Sequence, residues 1–277
     1  MIFKTIISSK DIKKFANFSS DTNPIHLNKK FARRQFHGAQ ISHGALLIEK
    51  FLNYYFKKDG YLIKNFMCYF QSPCEVNSNI VYKYSCNNLV VKCNIKNKNK
   101  NICYFEFNFL KKNIKEYHSF KLKSFQKIKK LKSNSDLKKI LNKKKKFLKS
   151  FDNKKNIFIN ILYNLSRVIG MEVPGYFSLF SNFKAEFNSE NNKNYNFYSV
   201  KNIIKRINLI ETNYIFKNYS LVSNSFLLNS PLDFNTILNK KYLKNRKIKK
   251  INKQVLILGG SRGLGLVSTF YFLSRGY

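Results

Sequence analysis

The chain has 277 residues, 44% of them hydrophobic, which is enough to bury a substantial core and excludes a disordered chain. Its 52 Lys and Arg residues against 14 Asp and Glu give a net charge of +38. Nucleic-acid binding is one interpretation of that charge. Most basic residues are Lys spread along the chain, and Asn, Ile, Phe and Tyr are abundant with them. Biased composition therefore explains the charge better, and no specific nucleic-acid partner is expected.

Nothing in the sequence indicates a membrane segment or a secreted protein. No run of about 18 apolar residues could form a transmembrane helix, and the first ten residues, MIFKTIISSK, lack the long apolar core of a signal peptide. The odd number of cysteines includes no CxxC pair, so they are expected to be reduced, buried thiols in a cytoplasmic protein. They are Cys68, Cys74, Cys86, Cys93 and Cys103.

The first third of the chain predicts short helices followed by one long helix. Ser8 or Ser9 can cap a helix over residues 11–18, and a polar loop over 19–24 and a helical turn over 29–34 follow. Apolar residues at helical spacing predict a long helix over residues 45–57.

From residue 61 the apolar pattern changes to that of strands, and the order of a long helix and several strands then occurs twice. The predicted strands of the first half are 61–70, 80–86, 89–95, 102–110 and 114–124. A Lys-rich segment over 127–155 is expected to be a solvated linker with some helix. The second half predicts a helix over 157–169 and strands over 176–187, 195–200, 203–211, 214–216 and 221–228. The fold class is α+β, with a helix wrapped by an antiparallel sheet in each half.

Asp21 and His26 are the candidate catalytic residues, because they lie five positions apart across a loop that contains Asn23 and Pro24. A carboxylate beside an imidazole can move a proton and activate water near neutral pH. Gly44 begins the long helix, where its free backbone N–H could stabilise a thioester oxygen. The alternative interpretation makes Asp21 a turn cap, His26 a surface histidine and Gly44 a helix-start glycine.

The stretch FANFSSDTNPIHLNKKFARRQFHGAQISHGAL, residues 15–46, resembles the signature of the MaoC-like, R-specific enoyl-CoA hydratase family. The resemblance implies a hot-dog fold, doubled in this chain, and reversible addition of water to a trans-2-enoyl thioester. Asp21 and His26 would hold and activate the water, and the Gly44 N–H would polarise the thioester carbonyl. Asn23 and His43 would contact substrate.

Three positions depart from the family pattern. Ser20 stands where the family has Gly, His37 separates Phe36 from Gly38, and Ser42 replaces the usual Ala. The second half lacks the Asp-x-Asn-Pro-x-His motif and resembles the half that supplies a wall and an acyl tunnel in double hot-dog proteins. Its polar candidates, for which a structural role is expected, are Arg167, Glu172 and Ser178.

Near the end, a predicted strand over 254–258, the glycine run GGSRGLG over 259–265 and a helix over 266–274 suit a dinucleotide phosphate loop. The run resembles the start of short-chain dehydrogenase/reductases. Its candidate cofactor residues are Gly259, Arg262, Gly263 and Gly265. One β-α unit cannot form a dinucleotide site, so the tail is interpreted as a truncated Rossmann start. NADP would be needed only with a complete reductase, and hydration requires no cofactor or metal.

The predicted division is a catalytic hot-dog domain over 1–125, a linker over 126–155, a non-catalytic second half over 156–232, a basic linker over 233–252 and the reductase start over 253–277. The predicted substrate is a thioester of coenzyme A or of an acyl carrier protein, and the protein would be a monomer or homodimer. The alternatives are a hot-dog thioesterase, a decayed inactive product and a nucleic-acid binder.

Overall fold

A computed structural model describes residues 1–35, 37–57, 61–111, 146–147, 157–189, 196–216, 218–228, 251–260 and 263–277. The chain divides into two compact units, Met1–Asn229 and Ser230–Tyr277. Both predicted helix-and-strand halves belong to the first unit. The predicted strand over 114–124 and most of the two Lys-rich segments lie outside the described residues.

The first half begins with a strand, continues through four helices and ends in four strands. These are β1 (Ile2–Ile6), α1 (Ser9–Ser19), α2 (Pro24–Leu27), α3 (Lys29–Arg33), α4 (Gly44–Phe56), β2 (Tyr61–Phe70), β3 (Asn79–Asn87), β4 (Val90–Asn97) and β5 (Lys100–Lys111). Ser8 caps α1 as predicted: its Oγ accepts from Asp11 N at 3.2 Å, and Asp11 Oδ2 accepts from Ser8 N at 2.9 Å. The sequence analysis missed β1 and α2.

The second half repeats the arrangement of one long helix and four strands. Its elements are β6 (Lys146–Phe147), α5 (Ile157–Arg167), a π-helical turn (Val168–Glu172), β7 (Ser178–Phe187), β8 (Phe197–Ile204), a 3₁₀ turn (Lys205–Ile207), β9 (Leu209–Phe216) and β10 (Tyr219–Leu227). The predicted strand over 203–211 is wrong, because the 3₁₀ turn and Asn208, at φ 52°, separate β8 from β9. The predicted linker contains β6, which pairs with β8.

All ten strands form one antiparallel sheet in the order β1-β3-β4-β5-β2-β7-β10-β9-β8-β6. The two halves meet where β2 pairs with β7, with Asn65 opposite Glu186 and Tyr69 opposite Asn182. Helices α4 and α5 contact each other, and their buried residues share one core with the strands. This is a doubled hot-dog arrangement, and it confirms the predicted α+β class.

Aromatic side chains fill the core where the halves join. The Phe66 ring lies 4.9 Å from that of Phe158 and 5.3 Å from that of Phe183, both in the second half. Tyr219 donates a hydrogen bond from its hydroxyl to the Ile63 carbonyl at 2.6 Å, from β10 to β2. Buried polar and aromatic contacts therefore make one unit of the two halves.

All five cysteines are free, which agrees with the predicted thiols. Four are buried. The prediction is wrong for Cys86, which is exposed because it lies near the end of β3, where the strand leaves the core.

In the second unit, α6 (Gly263–Arg275) covers the predicted helix. The predicted strand over 254–258 is wrong: these residues have no regular structure, and Leu256 and Leu258 are 86% and 87% exposed. A strand needs a neighbour for its backbone hydrogen bonds, and none of the described strands pairs with this segment. No helix in the described ranges is both long and apolar enough to span a membrane.

Candidate active site

The predicted catalytic loop begins where α1 ends, at Ser20. Ser20 lies in the left-handed region, at φ 58° and ψ 21°, where glycine is favoured. The family that the motif resembles has Gly at this position, which suits the left-handed conformation. Ser20 adopts the same turn, at a modest cost in backbone strain. The Ser19 hydroxyl accepts from Asp21 N at 3.1 Å and donates to Phe15 O at 2.8 Å, so Asp21 keeps its place.

Two successive side-chain caps shape the loop from Asp21 to His26. Asp21 Oδ1 accepts from Asn23 N at 3.2 Å, and Asn23 Oδ1 accepts from Ile25 N at 3.2 Å. Asn23 thereby caps α2, and Pro24 occupies the first turn of that helix, where a missing N–H costs nothing. The loop predicted over 19–24 therefore leads directly into a helix that carries His26.

His26 lies beside Asp21 and is held by the Ile41 carbonyl through one ring nitrogen. Its Nδ1 lies 2.9 Å from the Ile41 carbonyl. Because a carbonyl only accepts, Nδ1 carries the proton in the neutral ring and Nε2 has the lone pair. Ligand atoms of Asp21 and His26 lie within 4.8 Å of each other. One water molecule can bridge such a gap with two hydrogen bonds of normal length.

His43, the N-cap residue of α4, packs against both Asp21 and His26. Its ring centroid is 3.7 Å from that of His26, and its Nε2 lies 3.1 Å from the Asp21 carbonyl and 3.8 Å from Asp21 Oδ2. The proton of His43 is therefore on Nε2. Its Nδ1 is buried without a hydrogen-bond partner among the described residues. His43 supports the loop by a backbone contact, and its predicted substrate contact stays a prediction.

The second half reaches the site through two residues that the sequence analysis did not single out, Ser166 and Gly170. Ser166 donates from its hydroxyl to Asp21 Oδ2 at 2.6 Å. Asn23 donates from Nδ2 to the Gly170 carbonyl at 3.1 Å. Gly170 also lies so close to Asp21 that a Cβ there would be 2.7 Å from Oδ2. The sequence signal was two small residues four positions apart on one helix.

Of the three polar candidates predicted in the second half, Arg167 and Glu172 lie away from Asp21, and Ser178 lies at the cavity. Arg167 Nη2 pairs with Glu172 Oε1 at 2.8 Å, and Tyr198 donates to Glu172 Oε2 at 2.9 Å. This buried network joins α5, the π-helical turn and β8, which is a structural arrangement. Ser178 lines the cavity described next.

Asp21, His26 and Gly44 open onto a cavity of about 250 Å³ between the two halves. Its apolar lining includes Leu47, Ile169 and three phenylalanines: Phe70, Phe180 and Phe226. Gly44 is the first residue of α4, and the Phe70 ring crosses it so closely that a Cβ would lie 2.6 Å from Cε1. His37 also lines the cavity. Glycine at position 44 thus leaves the helix N-terminus accessible beside an aromatic wall.

Burial sets the proton affinities of the site. It raises the pKa of Asp21, and the opposing effects of His26, the Ser166 hydroxyl and Asn23 N only partly offset it. Burial lowers the pKa of His26, while the Asp21 charge and the Ile41 carbonyl raise it in part. Burial, followed by the charge of His26, brings the pKa of His43 well below its usual range. His43 is therefore neutral at physiological pH.

In the described ranges, Asp21, His26 and His43 could together reach one metal ion, since their ligand atoms lie within 4.8 Å of one another. Imidazole nitrogens and a carboxylate suit zinc. However, His43 Nε2 faces a carbonyl and the Asp21 carboxylate accepts from Ser166, so binding would break hydrogen bonds that are now formed. The arrangement fits proton transfer better, and the expectation of a metal-free site stays a prediction.

The candidate cofactor residues lie in the second unit, around the start of α6. Gly259 is at φ 77°, and Gly265 lies against the Gly259 backbone, where no Cβ would fit. Gly263 is the first residue of α6, and Arg262 lies outside the described residues. The loop-to-helix part of the predicted pattern is therefore present, its strand is not, and NADP binding stays a prediction.

The fold and the site define a class: a doubled hot-dog protein with a buried carboxylate beside a partly buried histidine in an apolar cavity. Residues 4–103 match the family model described as a MaoC-like domain, which spans about a third of the chain.

A curated relative, the 3-hydroxybutyryl-CoA dehydratase of Methylorubrum extorquens, is 49% identical over 43 residues. That match covers 16% of this chain and 27% of the dehydratase. Among solved structures, one described as a MaoC-like dehydratase aligns over 82% of this chain and 98% of its own length, with a TM-score of 0.51 and 7% identity. It supports the fold. The (R)-hydratase of A. caviae aligns over 39% of this chain and 91% of its own, with a TM-score of 0.35 and 18% identity.

Proposed function

We propose that the protein catalyses reversible hydration of trans-2-enoyl thioesters, and equally dehydration of (R)-3-hydroxyacyl thioesters. The observation that carries the proposal is that the buried Asp21 carboxylate lies within 4.8 Å of a ring nitrogen of the partly buried His26, a gap that one water molecule can bridge. Both residues line a largely apolar cavity, and the Nδ1 bond to the Ile41 carbonyl would leave His26 Nε2 to act as the base. Water held there would be the nucleophile.

In the proposed reaction, Asp21 and His26 act as a pair that relays protons between water and the substrate. In hydration, the water oxygen bonds to C3 of the enoyl group while the pair accepts one proton from the water. The C2–C3 double-bond electrons move toward the thioester carbonyl, and the pair then returns a proton to C2. In dehydration, the pair removes the proton from C2 and protonates the departing hydroxyl at C3. Asp21 and His26 end each turnover in their starting protonation states.

The backbone N–H of Gly44 is proposed to stabilise the thioester oxygen as it becomes an enolate. It belongs to the first turn of α4, where N–H groups have no intrahelical partner and the helix dipole is positive. One donor to a developing oxyanion contributes about 3–4 kcal/mol in other enzymes. The Phe70 ring packs beside Gly44 and, by limiting water there when substrate is bound, would strengthen the interaction.

The substrate is proposed to be a thioester of coenzyme A or of an acyl carrier protein. A net charge of +38 favours carriers that bear phosphate or are acidic. The cytoplasmic location, the monomeric or homodimeric state and the domain boundaries given above belong to the same proposal. The resemblance of residues 253–277 to the start of a reductase stays a proposal, and NADP would be used only with a complete reductase domain.

Crotonyl-CoA separates the proposed activity from its rivals. A hydratase consumes the enoyl absorbance and releases no free thiol, whereas a thioesterase releases coenzyme A thiol at the rate at which it consumes substrate. The expected result is loss of the enoyl signal, formation of (R)-3-hydroxybutyryl-CoA and no thiol. Thiol release alone would replace the proposal with a thioesterase, and absence of both signals would favour a decayed protein.

A further inference from the structure

We infer that the second half is part of the catalytic machinery, because Ser166 on α5 positions the Asp21 carboxylate. From its sequence, this half is predicted to supply only a wall of the cavity. The inference rests on the proposed hydratase function and extends it: a residue from the half that lacks the catalytic motif sets the orientation and the proton affinity of the reacting carboxylate. Ser166 is a positioning residue, since it acts through Asp21.

The Ser166 hydrogen bond has the geometry of a strong, charge-assisted contact. Its hydroxyl lies 2.6 Å from Asp21 Oδ2, and both residues are buried, at 6% and 2% exposure. Hydroxyl-to-carboxylate bonds of this length are about twice as strong as neutral ones. Competing water is largely excluded at this depth, so the bond holds one oxygen of the carboxylate in a fixed direction.

The other carboxylate oxygen is fixed by the loop itself, through Asn23 N at 3.2 Å. Each carboxylate oxygen thus accepts one hydrogen bond from the described residues. Rotation of the carboxylate would break both bonds at once. Ser166 and Asn23 together therefore set the plane in which Asp21 can hold a water molecule.

A change of helix type just after Ser166 adds further contacts to the loop. After Arg167, α5 widens into the π-helical turn Val168–Glu172. The turn places the Gly170 carbonyl to accept from Asn23 Nδ2, and it brings the Gly170 backbone against Asp21. Single π-helical turns occur frequently at functional sites. Here two contacts from the turn, together with the Ser166 hydrogen bond from α5, fix the position of the second half relative to the catalytic loop.

The Ser166 hydrogen bond also lowers the pKa of Asp21, and a titration can measure this effect. Burial raises the pKa of Asp21, and the Ser166 hydroxyl opposes that effect by stabilising the charged form. Without the hydroxyl, the pKa of Asp21 rises further, so the ionised carboxylate is lost at a higher pH. A residue with only a structural role would change stability without moving this titration.

The test compares Ser166→Ala with Ser223→Ala in the full chain. Ser223 is a matched control, because it is also a buried serine in the second half and its hydroxyl bonds at 3.1 Å to Tyr214, away from the cavity. For S166A we expect kcat for crotonyl-CoA hydration to fall about 10- to 100-fold, and the acidic limb of the kcat/KM profile to move to higher pH. S223A should keep the wild-type kcat and profile.

A carboxyl ¹³C NMR titration of Asp21, in the wild type and in S166A, tests the positioning role of Ser166 without depending on hydratase activity. If the wild type is inactive, the hydratase proposal fails, and a higher Asp21 pKa in S166A still supports the positioning role. An active wild type with an unchanged pH profile and Asp21 titration in folded S166A overturns the inference alone. Should S166A not fold, Ser166→Cys, which keeps the volume and weakens the donor, is expected to shift both readouts in the same direction.

Discussion

Gly170→Ala places a methyl group directly against the reacting carboxylate. The new Cβ would lie 2.7 Å from Asp21 Oδ2 and 2.8 Å from Cγ, whereas ordinary contacts begin at 3.4 Å. Gly170 is not among the residues at positive φ, so the backbone itself accepts alanine. The substitution therefore acts by displacing Asp21, whose short side chain has little freedom to turn away.

The size of the effect follows from the distance that must be recovered, about 1 Å at Asp21 Oδ1, the carboxylate atom nearest to the new Cβ. A misplacement of about 1 Å in a catalytic group can cost about 10²-fold in rate. We expect G170A to lose between 10- and 100-fold in kcat for crotonyl-CoA hydration. Overpacking should lower the free energy of unfolding by about 1–3 kcal/mol, which leaves a folded protein.

The assay is steady-state hydration of crotonyl-CoA, with chemical denaturation measured on the same preparations. Gly260→Ala is the control, because its Cβ would also meet a side chain, Thr269 Oγ1 at 2.6 Å, but in the second unit. It should retain wild-type hydration. A folded G170A with wild-type kcat would refute the claim that the Gly170 backbone confines Asp21 to its working position.

Three further predictions concern stability. Asp21→Asn should stabilise the protein at neutral pH, because burial raises the pKa of Asp21 and the charged carboxylate therefore destabilises the folded state above that pKa. The gain in melting temperature should shrink as the pH falls through the pKa of folded Asp21. Asp11→Asn should destabilise the protein at neutral pH. Burial raises the pKa of Asp11, but the hydrogen bonds from Ser8 and the charge of Lys50 outweigh it and lower that pKa. The cap contributes about 1 kcal/mol to stability at neutral pH, and this contribution is lost as the pH falls through the lowered pKa. Tyr219→Phe should cost about 1–3 kcal/mol in denaturation experiments, since it leaves the buried Ile63 carbonyl without its donor, while hydration stays at the wild-type rate.

Periodicity in the sequence was sufficient for the elements that surround the site. The long helix α4 was predicted within one residue at each end, and β2 at both ends, because each has a regular apolar pattern and a clear start. The Ser8 cap and the doubled order of helix and strands followed in the same way. Asp21, His26 and Gly44 were found as lining residues of one cavity because the motif holds them close in the chain.

Elements that depend on distant partners could not be predicted from local pattern. The strand expected over 254–258 is apolar enough, but it lacks a neighbouring strand among the described residues. The short strand β1 was missed because its alternation becomes meaningful only when it pairs with β3. Ser166 was missed for the same reason: it is one of many serines until the fold brings it within 2.6 Å of Asp21, 145 positions away.

Hydration of crotonyl-CoA by Asp21→Asn, compared with the wild type and Asp11→Asn, tests the central claim most directly. Asn keeps the size of the side chain and removes the group that accepts the proton, so kcat/KM should fall by about 10²–10⁴-fold. Asp11 lies in the α1 cap, and its variant should hydrate crotonyl-CoA at the wild-type rate. A folded D21N that hydrates crotonyl-CoA as fast as the wild type would contradict the proposed mechanism.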